Sequence, residues 1–206
     1  MGCLMKSSVS ISRSNSKLGA AIPSFSLPPV VTCRPAAPCI RDCYACKMCR
    51  LRSSVGAAWA RNLEIWKSSP DAVRYAILSE ALMSSYFRYF VGGDIPDPAF
   101  FQLMVDVANA APRCEFLAFT KKFEIVNAFL DAGGIIPANL RVIFSEWRDD
   151  LRAENPHNLP LSRVVYHADE LPERAKVCGG NCADCICRGV ACWELKPGEV
   201  IHFFKH

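Results

Sequence analysis

Between residues 86 and 145 the spacing of apolar positions alternates between two periods. "YFRYFV" is a short aromatic strand, and "GGDIPDP" turns the chain, with Asp97 placed to cap a helix and Pro98 at its first position. "AFFQLMVDVANAA" follows with Phe100, Met104, Val107 and Ala108 on one helical face. "CEFLAF" is the next strand. "TKKFEIVNAFLDAGG" is the next helix, closed by Gly133 or Gly134, "LRVIF" is a third strand and "RVVYHA" a fourth. Upstream, "SFSLPPVV" reads as an extended segment ending at Cys33. Residues 54–67 read as a helix with Trp59, Leu63 and Trp66 on one side, and a second helix runs from Pro70 to about Ser84, capped by Ser69.

Strands and helices alternating at this spacing predict right-handed βαβ units and an α/β fold: a partial parallel (βα) barrel or an open parallel sheet. Ligands of such sheets sit at the carboxyl ends of the strands. The loops there are residues 32–49, 92–97, 120–122 and 145–147. The chain divides into a polar, flexible N-terminal segment (1–22), a βα domain (23–170) and a cysteine-rich C-terminal cap (171–206).

Composition changes this picture in one respect. Of 206 residues, 51% are apolar and the net charge is only +4, which argues against a nucleic-acid surface. There are, however, 12 cysteines, five within 33–49 and five within 178–192, with Cys3 and Cys114 apart. No apolar stretch suits a signal peptide or a membrane span, and "MGCLMK" has Lys6 where a myristoylation signal needs Ser or Thr. The expected address is the cytoplasm. Cysteines packed at short gaps in that compartment point to metal rather than disulfides.

Cys39, Cys43 and Cys46 are spaced C-x3-C-x2-C, with Cys33 and Cys49 as further candidates. Three thiolates in one loop can hold three irons of a [4Fe–4S] cluster and leave the fourth open. The set Cys33, Cys39 and Cys43 is the alternative. Cys178, Cys182, Cys185 and Cys192 suit a second [4Fe–4S] cluster or a Zn2+ site with four sulfur ligands. Taken by themselves, Gly92 and Gly93 make a tight turn, Asp94 is a solvated turn residue, and Cys114 packs as a small hydrophobe.

The C-x3-C-x2-C loop after the first strand, "FVGGDIPDP", "FLAFTKK" and "RVIFSEW" together resemble the radical S-adenosylmethionine superfamily. The resemblance implies a [4Fe–4S] cluster that cleaves S-adenosylmethionine reductively. Gly92, Gly93 and Asp94 would receive the cofactor's amino group, and Ser145 would stand where that superfamily often has a serine. The match departs at Ala45, where the superfamily usually has an aromatic. Over nearly the whole chain, "SFSLPPVVTC", "CYA", "RYFVGGDIPDPAFF" and "CGGNCADC" with "FFKH" resemble the phage and bacterial gene product 88 domain family. That likeness implies ligands at Cys33, Cys39 and Cys43 and supplies no substrate. The rival expectations are a non-catalytic, zinc- or cluster-stabilised binding module of phage origin, and an iron–sulfur electron carrier.

Overall fold

The computed structural model describes residues 8–13, 15–19 and 22–205. The expectations for the first seven residues, including the myristoylation motif and Cys3, and for His206 fall outside them.

Among the described residues eight strands form one sheet in the order β1-β2-β3-β4-β5-β6-β8-β7. They are β1 (Ile11–Ser12), β2 (Ser24–Phe25), β3 (Tyr86–Tyr89), β4 (Glu115–Thr120), β5 (Leu140–Trp147), β6 (Leu161–Val165), β7 (Lys176–Val177) and β8 (Val200–Phe204). Every pairing is parallel except that of β1 with β2. Among the described residues β1 and β7 are the two edges. The α/β class and the predominantly parallel sheet are therefore as the sequence predicts.

Among the described residues the α-helices number six: α1 (Tyr44–Leu51), α2 (Ser53–Ser68), α3 (Pro70–Ala81), α4 (Pro98–Ala110), α5 (Phe123–Asp131) and α6 (Cys182–Cys187). Period decides what they bury. In α3, Val73, Ile77 and Ala81 recur every four residues and all three are buried. Pro70 opens the helix as expected, but the Ser69 side chain makes no capping hydrogen bond, and the helix stops at Ala81 rather than Ser84. Asp97 does cap α4, its Oδ1 accepting from the Phe100 amide at 2.9 Å. α5 ends as read: Gly133 takes a left-handed φ of +84°, and the Gly134 amide donates back to the Phe129 carbonyl.

Both faces of the sheet are covered, which explains strands too apolar to alternate cleanly with solvent. Phe87, Tyr89, Phe116, Ala118, Val142 and Phe144 point into a core shared with α2, α3, α4 and α5. Leu117, Ile143 and Ile201 point the other way. They meet Leu18 and Ile22 from the N-terminal segment and Ala191, Trp193 and Leu195 from the cysteine-rich tail. Trp193 fixes that layer: its indole N–H donates to the Glu115 carbonyl at 3.0 Å, and its own carbonyl accepts from Arg141.

Three features differ from the sequence reading. α1 stands where a ligand loop was expected, and it carries Cys46 and Cys49. The segment read as flexible contributes β1, and its residues 15–19 dock on α6, where the Cys182 amide donates to the Lys17 carbonyl at 2.9 Å. The segment read as a cap supplies β7 and β8 to the sheet itself.

Candidate functional site

At the carboxyl edge the loops after β2, β3 and β4 are tied together through few atoms. Gly92 approaches the Trp59 ring so closely that a β-carbon there would lie 2.3 Å from it. Gly93 has φ +77°, and a β-carbon would meet the Leu27 carbonyl and the Thr32 hydroxyl at 2.6 Å. The turn thus requires both glycines for its own packing. The Thr32 hydroxyl accepts from the Asp94 amide at 3.1 Å and donates to the Pro28 carbonyl.

Asp94 is not the solvated turn residue its sequence context suggests. It is 5% exposed. Its Oδ1 accepts from the Thr120 hydroxyl at 2.6 Å and the Ile95 amide at 2.8 Å, and its Oδ2 accepts from the Lys121 amide at 2.8 Å. Burial pushes the carboxyl above its ordinary range, and these donors offset part of that rise. A carboxylate offers about four acceptor positions, so Oδ2 keeps capacity for one more donor.

This edge opens into a cavity of about 360 Å³, a size suited to a small-molecule ligand. Cys33, Cys39 and Cys43 line it beside Gly92, Gly93 and Asp94, and Cys178, Cys182 and Cys192 line it from the tail. Arg88, Phe119, Lys121, Ser145 and Ser162 line it from the sheet. Ser145 pairs in register with Ser162 across β5 and β6, and the Lys121 ammonium donates to the Ser145 hydroxyl at 2.8 Å. An ion pair of 2.9 Å between Lys205 and Asp42 joins the end of β8 to the first cysteine loop.

The cysteines of the first loop differ in where they lie. Cys33, Cys39 and Cys43 reach the cavity; Cys46 and Cys49 do not. Cys46 lies within α1, three residues after Cys43. Cys185 does not line the cavity; it packs against the same core cluster as Cys178, Cys182 and Cys192, with an Arg188 nitrogen 3.9 Å from its sulfur. Cys114 is buried at the start of β4, as a small core residue.

None of the eleven described cysteines forms a disulfide. Burial pushes the Cys33 thiol up to about 11, and the neighbouring Asp94, Cys39 and Cys43 add to the rise. Burial likewise pushes Cys192 up to about 12, against the pull of Arg88. Such thiols stay protonated until a metal displaces the proton. Among the described residues no three His, Cys, Asp or Glu side chains stand together as they would around a single metal ion. Six cysteines from two distant segments nevertheless line one cavity, with Arg88, Lys121 and Lys205 beside them.

Sequence reasoning missed two aspects of this site. It separated the two cysteine sets, because their meeting depends on β7 lying outside β8. It passed over Arg88, although the alternation of "YFRYF" already sets that residue on the face opposite Phe87 and Tyr89.

Among the described residues no helix is long and apolar enough to cross a membrane. No curated protein and no solved structure matches the chain. Residues 7–188, most of its length, match the family described as gene product 88, and the chain belongs to that family.

Proposed function

We propose that the protein is a cytoplasmic iron–sulfur enzyme of radical S-adenosylmethionine type, its sheet serving as a partial (βα) barrel. The observation that carries this reading is the meeting of Cys33, Cys39 and Cys43 with the Gly92–Asp94 turn in one cavity at the carboxyl edge of a parallel sheet. Those three cysteines would hold a [4Fe–4S] cluster, which when loaded supplies the electron for reductive cleavage of a bound sulfonium cofactor. The open acceptor position on Asp94 Oδ2 suits the cofactor's amino group. Lys121 and Ser145 present donors to its carboxylate. Phe90, Phe119 and Phe203 line the cavity and keep water from it. Cys178, Cys182, Cys185 and Cys192 would hold a second cluster or a Zn2+ ion, making the tail a metal-binding layer. The net charge of only +4 does not favour nucleic acid as the substrate.

A non-catalytic metal-stabilised module is the second reading. It is favoured by one observation: the packing of Gly92 and Gly93 and the three donors to Asp94 account for that turn without any ligand.

Single Cys→Ala variants at 33, 39, 43, 46 and 49, reconstituted anaerobically with iron and sulfide, distinguish the two. The enzyme reading expects a brown protein that requires Cys33, Cys39 and Cys43, tolerates loss of Cys46 and Cys49, and forms 5′-deoxyadenosine from S-adenosylmethionine under reducing conditions. Asp94→Ala should then weaken cofactor binding and spare the cluster. A colourless zinc protein, or four required cysteines with no 5′-deoxyadenosine, would establish the module instead.

A further inference from the structure

Three cations and two carboxylates line the cavity, and most of them are accounted for within the protein. Lys205 pairs with Asp42 at 2.9 Å. Lys121 lies beside Asp94, to which its amide donates, and its ammonium donates to the Ser145 hydroxyl. Arg88 is left. It lies within β3, where its neighbours in register are Ser24 on β2 and Leu117 on β4, both uncharged. Among the described residues it enters no ion pair, whereas Arg148, Arg152 and Arg163 each have a carboxylate partner.

The side chain is nevertheless held in place. Its guanidinium stacks over the Phe119 ring at 4.3 Å, and that ring meets Phe203 edge to face at 5.6 Å. Its Nε donates to the Tyr89 carbonyl at 2.9 Å. That bond leaves both Nη groups as donors, and they form a fork that matches two oxygens of a carboxylate or phosphate. A guanidinium keeps its charge wherever it is placed. Withdrawing it from water is costly unless an anion compensates. Phe119 and Phe203 line the cavity beside it, an apolar surface for the rest of a ligand.

We propose that Arg88 is the anion receptor of this cavity: its Nη groups take the carboxylate or phosphate of a small molecule whose apolar body lies against Phe119 and Phe203. The guanidinium reaches the level of Phe119, two residues short of Lys121, or about 7 Å along the strand. It is thus a subsite apart from the one given above to the cofactor's carboxylate, at Lys121 and Ser145. The inference rests on the enzyme reading only in calling that small molecule the substrate. Its binding needs no metal.

The test uses the full-length, reduced and metal-free chain, titrated in a calorimeter with benzoate, phenyl phosphate and, as their uncharged counterpart, benzamide. Wild type should bind at least one of the two anions saturably at millimolar concentrations, and benzamide about 10-fold more weakly or worse. Arg88→Met should weaken binding of the anion about 10- to 100-fold and leave benzamide unchanged. Arg88→Lys keeps the charge without the fork and should fall between the two. Lys121→Met removes the cation at the rim and should weaken the anion less than Arg88→Met does. The preference between benzoate and phenyl phosphate then tells a carboxylate ligand from a phosphate ligand.

Anion binding in Arg88→Met equal to that of wild type would overturn the assignment. So would equal affinity of wild type for benzamide, or no saturable binding of either anion. A larger loss in Lys121→Met than in Arg88→Met would place the anion at the rim and overturn it as well. Should circular dichroism show Arg88→Met unfolded, Arg88→Lys decides: undiminished affinity there overturns the fork. Anion binding that depends on Arg88, in a protein that forms no 5′-deoxyadenosine when reconstituted, would remove the enzyme reading and leave the receptor standing.

Discussion

Asp94 is held by groups remote in sequence: Thr120 and Lys121 lie 26 and 27 positions away, and its backbone amide is held by Thr32, 62 positions away. Its side chain therefore could not be placed from local pattern, whereas the neighbouring Asp97 could, because a cap is read from residues within one helical turn. The raised pKa of Asp94 has a testable sign. An unfolded aspartate titrates near ~3.9, and in the folded protein burial moves the value upward. The protonated side chain is the one the fold favours, so its stabilising contribution is full below the unfolded value and is lost as pH rises through the folded value. Urea denaturation of the metal-free protein should show wild type losing ground to Asp94→Asn as pH is raised from about 3 through the folded value. A difference independent of pH would mean that the carboxyl is not shifted. At Gly93 the left-handed φ of +77° and the close Leu27 carbonyl predict that alanine costs about 1–3 kcal/mol in the same assay.

Elements were legible where one period held for several residues. β3, β4, β5, α4 and α5 all follow such runs, and their order gave the parallel sheet. α1 was not, because only Ala45 among its eight residues is buried; a helix that docks so little side-chain surface leaves a weak apolar stripe, and its cysteines drew attention as loop ligands instead. β7, two exposed residues long, has no pattern to detect at all. The junction of α2 and α4 offers a direct measurement. Asp97 accepts from the Phe100 amide with one oxygen and from the Trp66 indole N–H, at 2.7 Å, with the other. Asp97→Ala removes a helix cap and strands a buried indole donor, a loss of about 2–4 kcal/mol. Asp97→Asn retains an acceptor for the cap and should lose less. Wild-type stability in both variants would show that neither bond matters.

At the scale of the molecule, the chain forms three layers: helices, sheet, and a second cover made from both ends of the sequence. A boundary near residue 170 matches the change in composition and yet falls inside one sheet, since β8 pairs with β6 along five residues. Composition reports where cysteines begin, whereas hydrogen bonding reports where a folding unit ends. Deleting residues 171–206 would uncover Leu117 and Ile143, now buried beneath Trp193 and Leu195. Such a fragment is expected to lose near-ultraviolet circular dichroism and its cooperative thermal transition. A soluble monomer with an undiminished transition would show that the layer is an accessory.

The strand order also bears on how the protein is made. β7 is translated before β8 yet pairs only with β8, and β8 in turn fills the place beside β6. While residues 200–204 are still inside the ribosome, Cys178 has no strand to hold it at the sheet edge, even though the whole cysteine-rich segment has been polymerised. The nascent chain can complete α4 and α5 against β3, β4 and β5 early, from contacts close in sequence. The tail cysteines are brought to the cavity only in the last step of assembly, so the wall they form is closed only after synthesis of β8.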